Sequence, residues 1–201
     1  MKTIVYGIFA EDDANKFFII NALPQLVTFF DVEINLKHEA DYTSMAVAKN
    51  SEFVVDNFMS RAVQGFRRYD LDLCIVSVDS EDRDFKTMLE KMNNKLPNQD
   101  LQDKVFIFIP VQCIEYWLWY LKFSDKDEKI ETSKTRKEVK KELYGSAKSS
   151  DSKTNPIVKE ITQNIDFELL VKKSESFKYF FEEFKSFVEK LQGLSIRIYT
   201  N

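Results

Sequence analysis

Three short stretches of the chain are apolar almost without interruption: residues 3–9 (TIVYGIF), 73–78 (LCIVSV) and 105–109 (VFIFI). They are rich in β-branched and aromatic side chains, which predicts strands buried on both faces. Residues 31–37 (DVEINLK) instead alternate apolar and polar, as an edge or half-exposed strand does. Between these runs the apolar spacing becomes helical. A helix is expected over 14–26, with Phe17, Phe18, Ile20 and Leu23 apolar and Pro24 kinking or ending it. A long one is expected over 43–68, with Met45, Val47, Phe53, Val54, Phe58 and Val63 as its buried stripe. A short helix over 83–95, a turn at 97–99 and a helix over 113–123 complete the series. Such alternation predicts an α/β fold: a mostly parallel sheet of about four strands with helices on both faces.

Beyond Phe123 the pattern changes. Residues 124–153 are polar and predict a loop or mobile connection, most flexible near 144–154. A helix is expected over 155–164. Then Phe177, Phe180, Phe181, Phe184, Phe187, Val188 and Leu191 recur at three- and four-residue steps. That is an amphipathic helix whose aromatic stripe belongs against the sheet. The chain thus divides into an α/β core, 1–123, and a helical C-terminal region, 124–201, that packs on it.

Composition narrows the chemistry. Of 201 residues only four are Gly and four Pro, which argues against a turn-dense all-β fold, while 18 Phe supply a core. A single histidine, His38, excludes any site needing two. Cys74 and Cys113 lie far apart inside apolar runs, so neither a zinc knuckle nor a disulfide framework is implied and a reducing cytoplasm is expected. Carboxylates are abundant, so oxygen ligands and a hard metal are the expected tools. Net charge is −4, but unevenly spread: residues 1–121 carry 12 Lys/Arg against 19 Asp/Glu, and residues 122–160 carry 11 against 8. No apolar run is long enough for a membrane helix. The apolar run at 4–10 meets Glu11, Asp12 and Asp13, so no leader is expected either.

The acids are placed where chemistry happens in parallel sheets, beyond the carboxyl ends of strands. Glu11, Asp12 and Asp13 follow the first apolar strand; Asp79, Glu81, Asp82 and Asp84 follow the strand at 73–78. If these strands are neighbours, the acids converge and repel one another unless a cation neutralises them. The same acids are also suited to capping helices, Asp12 or Asp13 the helix at 14 and Asp82 the one at 84. Both roles stay open. A response-regulator receiver domain also carries an acidic pair after its first strand. Here the 67-residue step from Asp12 to Asp79 is too long for one, and the Lys-Pro of that family is missing.

The chain resembles the Toprim-like family, specifically the small bacterial Toprim proteins of RloB and OLD type. Glu11-Asp12-Asp13-Ala14-Asn15 stands where that family has Glu-Gly-x-Thr-Glu, and Val78-Asp79-Ser80-Glu81-Asp82 where it has Asp-x-Asp. Cys113-Ile114-Glu115-Tyr116-Trp117 matches its Glu-x-Trp helix start, and Ser176-Phe177 its Phe-rich terminal helix. The chain departs from the pattern at Asp12, Asn15 and Glu81, where the family has Gly, Glu and Asp.

The resemblance implies a Mg²⁺- or Mn²⁺-dependent nuclease or related phosphodiester-processing enzyme, in bacterial defence or a mobile element. Glu11 and Asp79 would be catalytic; Glu11, Asp79 and Glu81 would hold the metal, joined by Asp82 and Glu115. Its partners would be DNA or RNA and a protein such as an ATPase. Arg83, Lys134, Lys137 and Lys141 are the candidate contacts to nucleic acid, with Lys134, Lys137 and Lys141 sharing a face if that segment is helical. The alternative is a non-catalytic interaction or regulatory subunit that kept the fold and lost the site.

Overall fold

The computed structural model describes residues 2–46, 48, 50–81, 83–126, 128–146 and 151–198, with backbone alone for 151, 152 and 191–198. Four strands, β1 (Lys2–Ala10), β2 (Ile34–His38), β3 (Leu73–Ser77) and β4 (Val105–Phe108), form one sheet. All pairings are parallel and the order is β2-β1-β3-β4. Among the described residues the helices are α1 (Asp13–Phe29), α2 (Ala40–Met45), α3 (Ser51–Arg68), α4 (Phe85–Asn93), α5 (Gln99–Gln102), α6 (Glu115–Lys122), α7 (Ile130–Ser133), α8 (Arg136–Tyr144), α9 (Asp151–Ile161), α10 (Phe167–Lys173) and α11 (Glu175–Ile198). The fold is α/β, as the alternation predicts.

Successive side chains of a strand point to opposite faces, and at the centre of the sheet both faces are dry, whereas edge strand β2 is partly exposed. In β1, Ile4, Tyr6, Ile8 and Ala10 enter one core layer while Phe9 enters the other. In β3, Leu73 and Ile75 divide likewise from Cys74 and Val76. The first layer is closed by α1 and α6–α11, the second by α2, α3 and α4. The C-terminal stripe does face the sheet: Phe177, Phe180, Phe184 and Val188 are buried, and Phe180 packs edge-on against Phe108 of β4 at 4.8 Å. The Leu191 side chain lies outside the described residues.

Several expected boundaries are corrected. Helix α1 passes through Pro24 and continues to Phe29. Ala22, Leu23, Leu26 and Val27 are buried on both sides of the proline, so packing outweighs the roughly 3 kcal/mol that an interior proline costs. The single helix expected over 43–68 is two, because Asn50 caps a new start: its side chain accepts from Phe53 N at 2.9 Å. Of the expected stripe, Val54 and Phe58 are buried, Met45 is half exposed, and Val47 lies outside the described residues. The expected connection at 124–153 contains α7 and α8, which sink Ile130, Val139 and Leu143 into the core. Thr135 and Glu138 form a reciprocal capping box, and Gly145 ends α8 with φ 76°. Helix α9 starts at Asp151, four residues before the expected start, and residues 147–150 of the expected flexible stretch lie outside the described residues.

One glycine sets the distance between layers. A Cβ on Gly7 of β1 would fall 2.8 Å from Leu71 Cδ1 and closer still to Tyr42 Cδ1. Gly65 of α3 faces the same two side chains, its added Cβ 2.6 Å from Leu71 Cδ1. Gly7→Ala should therefore destabilise the protein by about 1–3 kcal/mol through overpacking. The fall in urea midpoint at unchanged m-value measures it; an unchanged midpoint would mean that Tyr42 and Leu71 can yield.

Candidate active site

Strand order reverses between β1 and β3, because β2 lies on one side of β1 while β3 and β4 lie on the other. The crevice beyond such a switch point is where parallel sheets place ligands. Ala10 and Ser77 are in register at its edge, and Glu11 N extends the ladder by donating to Ser77 O at 3.1 Å. Glu11 Oε2 in turn accepts from Asp79 N at 3.2 Å. The two acidic strings thus meet through Glu11 and Asp79, while Asp13 turns to Lys16 at 2.9 Å.

Capping and clustering turn out to be compatible. Asp12 is the N-cap of α1, its Oδ1 accepting from Asn15 N at 2.9 Å and Asn15 Nδ2 at 3.0 Å. Asn15 is fully buried; its Nδ2 also donates to Asp79 Oδ1 at 3.2 Å, and its Oδ1 accepts from Ser77 Oγ at 2.7 Å. Ile114 N adds a third donor to the pair, 3.2 Å from Asp79 Oδ1. Asn15 thus orients Asp79. At α4 the cap is Asp84, which accepts from Thr87 N at 2.8 Å, so the capping role expected of Asp82 falls to Asp84. Asp82 itself lies outside the described residues.

The loops after β3 and β4 are stitched together. Glu81 N donates to Gln112 O at 3.1 Å, Ser80 N to Pro110 O at 3.0 Å, and Gln112 N to Ser80 Oγ at 2.9 Å. Glu81 (φ 54°) and Gln112 (φ 61°) both occupy the left-handed region, at a cost of roughly 1–2 kcal/mol for each non-glycine residue. The bridge between them holds that conformation and turns Glu81 toward two arginines. Its Oε2 lies 3.4 Å from Arg83 Nη2 and its Oε1 lies 3.6 Å from Arg136 Nη1.

Glu11 and Asp79 are compensated only in part. Burial raises the Glu11 pKa to about 7; the bond from Asp79 N opposes the rise, Asp12 and Glu81 add to it, and Arg136 offsets part. Asp79, only 4% exposed, is raised well above its ordinary value by burial first and then by Asp12, Glu115 and Glu11. Burial and like charge together disfavour the ionised form of both carboxyls.

Glu11, Asp12, Asp79 and Glu81 line one side of a cleft of about 730 Å³. Lys134 and the first turns of α8, with Arg136, Lys137 and Lys140, line the other. Lys134 is engaged with Glu142 at 2.7 Å and lies over the Trp119 ring at 5.0 Å. It precedes α8, so it does not share a helical face with Lys137 and Lys141, contrary to expectation. Lys141 is exposed away from the cleft lining, and Arg83 turns to Glu81 and to Ser51 Oγ at 3.3 Å. Both tryptophans are fully buried, so neither offers a stacking surface.

Glu115 adjoins Asp79 without lining the cleft. It is 3% exposed at the start of α6, with Oε1 held by Lys140 Nζ at 3.2 Å and by the Tyr144 hydroxyl, which donates at 3.5 Å. Burial works against the Lys140 charge, but Glu115 and its neighbours outweigh burial and keep the ammonium's pKa above the ordinary value. The basic wall is partly legible in advance, since Thr135-x-x-Glu138 is a capping-box signature. The Asn15 tie and the Tyr144 contact have no local signal. Among the described residues, no helix is long and apolar enough to cross a membrane. No protein-family model, curated protein or solved structure matches the chain, so the site has to be read from its own atoms.

Proposed function

We propose that the protein is a divalent-cation-dependent phosphodiesterase acting on DNA or RNA. One observation carries this reading: a single cleft at the switch point sets a carboxylate cluster opposite a wall of cations. The acidic side is an all-oxygen donor set, which fits a hard ion such as Mg²⁺ or Mn²⁺. Glu11 and Asp79 would hold it, with Asp12 alongside; Glu81 is already balanced by Arg83 and Arg136. Such an ion neutralises charge on a phosphodiester and makes water more acidic. Arg136 and Lys137 would take the flanking phosphates of a strand, and Asn15 keeps the Asp79 carboxylate oriented. Burial raises the metal-free Glu11 pKa to about 7, and the carboxyl would give up its proton to water as the ion binds. Resemblance to RloB- and OLD-type proteins adds the setting, bacterial defence or a mobile element, and an ATPase as partner.

A second reading, a chain that binds through this face without cutting, is favoured by the pairing of Glu81 with two arginines. Incubation with single- and double-stranded DNA and RNA in Mg²⁺ or Mn²⁺ separates the two. The wild type should cleave at least one of them, and Glu11→Gln should be slower by about 10²–10⁴-fold. A wild type that binds the ion yet cuts no substrate would favour the second reading.

A further inference from the structure

Two further metal-ligand side chains touch Asp79 without lining the cleft. Cys113 and Glu115 bracket the start of α6, and their ligand atoms and that of Asp79 all lie within 4.8 Å of one another. We propose that Asp79, Cys113 and Glu115 form a second metal site that takes a thiophilic divalent ion such as Zn²⁺ in preference to Mg²⁺.

Among the described residues Glu115 Oε2 is buried with no hydrogen-bond partner, although Oε1 has two. A buried carboxylate oxygen left in this state is costly, and a cation within the cluster would satisfy it. Charge points the same way. With the thiol ionised, the three ligands carry three negative charges and Lys140 supplies one positive, so a divalent ion brings the cluster to neutrality. On binding, the Cys113 thiol and the Asp79 carboxyl each release their proton to solvent and take the bond to the metal in its place.

The ligand set chooses the metal. Mg²⁺ avoids sulfur and retains water, whereas Zn²⁺ accepts mixed sulfur and oxygen ligands. Around a tetrahedral Zn²⁺ neighbouring ligand atoms stand about 3.5 Å apart. Side-chain rotations of roughly an ångström would close the present separations to that value. The backbone is already tied, because Ile114 N holds Asp79 Oδ1 and Cys113 N donates to Val111 O at 2.7 Å. All three side chains are buried, Cys113 completely, and with three protein ligands the fourth tetrahedral position would fall to a water.

This site shares Asp79 with the proposed catalytic cleft but does not depend on cleavage. Titration of the whole chain with Co²⁺ tests it by spectrum. One equivalent should produce a thiolate-to-cobalt charge-transfer band together with the visible bands of a tetrahedral ion. Cys113→Ser should abolish the charge-transfer band, and Glu115→Gln should weaken Co²⁺ binding at least tenfold, each with native circular dichroism. Cys74→Ser and Glu11→Gln should keep the band, since Cys74 lies in the other core layer and Glu11 in the cleft. A folded wild type without the band, or a band that survives in Cys113→Ser, would overturn the proposal. Mg²⁺-dependent cleavage by a chain that shows no cobalt–thiolate band would sink this site and leave the nuclease reading standing.

Discussion

Asp79→Asn should abolish divalent-cation binding in the cleft and, in the same protein, make the metal-free fold more stable. The loss follows from geometry. Asp79 is where the acids after β1 and β3 meet, and an amide oxygen carries no charge with which to hold a cation. Affinity for Mn²⁺ measured by calorimetry should fall by at least about 100-fold, more than the loss of an outer hydrogen bond usually costs.

The gain follows from the same environment. Asn keeps an oxygen at the position of Oδ1, which accepts from Asn15 and Ile114 N, while removing a carboxyl surrounded by Asp12, Glu115 and Glu11. In chelator the variant should be more stable by about 0.5–2 kcal/mol. The sign with pH is fixed. A carboxyl whose folded pKa lies above its ordinary 3.8 holds its proton in the native state after the unfolded chain has released it. The wild type therefore loses stability as pH rises from about 4 toward that raised value, and Asp79→Asn should not share the loss. Parallel melting curves across this range show the advantage growing with pH. A constant or negative difference would mean that Asp79 is ionised at no cost in the native state.

Trp117→Ala should be the most damaging single truncation, costing about 3–5 kcal/mol. For a chain of this size that lowers the melting temperature by roughly 10 °C. Trp117 of α6 is fully buried where four elements meet. Its ring contacts Phe18 of α1 at 5.5 Å, Phe108 of β4 at 4.9 Å and Phe177 of α11 at 4.9 Å, each edge to face. Deleting it unlocks the C-terminal helix from the sheet as well as opening a cavity. Trp117→Phe should cost much less than the area removed suggests, because the indole Nε1 is buried with no partner among the described residues and its removal ends that penalty. Equal melting temperatures for the Ala and Phe variants would show that shape, not the orphaned donor, governs this position.

What could be read from the chain tracks how local each signal is. The strands at Leu73–Ser77 and Val105–Phe108 announce themselves because a strand dry on both faces tolerates almost no polar residue. The aromatic stripe of α11 is equally plain at helical period. The α7–α8 segment is harder, since its few buried residues, Ile130, Val139 and Leu143, are diluted among exposed Lys and Glu. Its capping box and Gly145 were the better signals. Pro24 misleads for the opposite reason: its local cost is real, and packing contacts distant in sequence override it.

The sequence by itself determined the α/β class, the buried strands, and the placing of acids just beyond two of them, because each depends on neighbours a few residues apart. Only the tertiary structure decided that those two strands are adjacent. With adjacency came the Glu11–Asp79 contact across 68 residues, the pairing of Glu81 with Arg83 and Arg136, and the closure of Cys113 and Glu115 onto Asp79. These depend on strand order and on which helix covers which crevice, and such choices are set by the summed burial of the whole core rather than by any local run of residues.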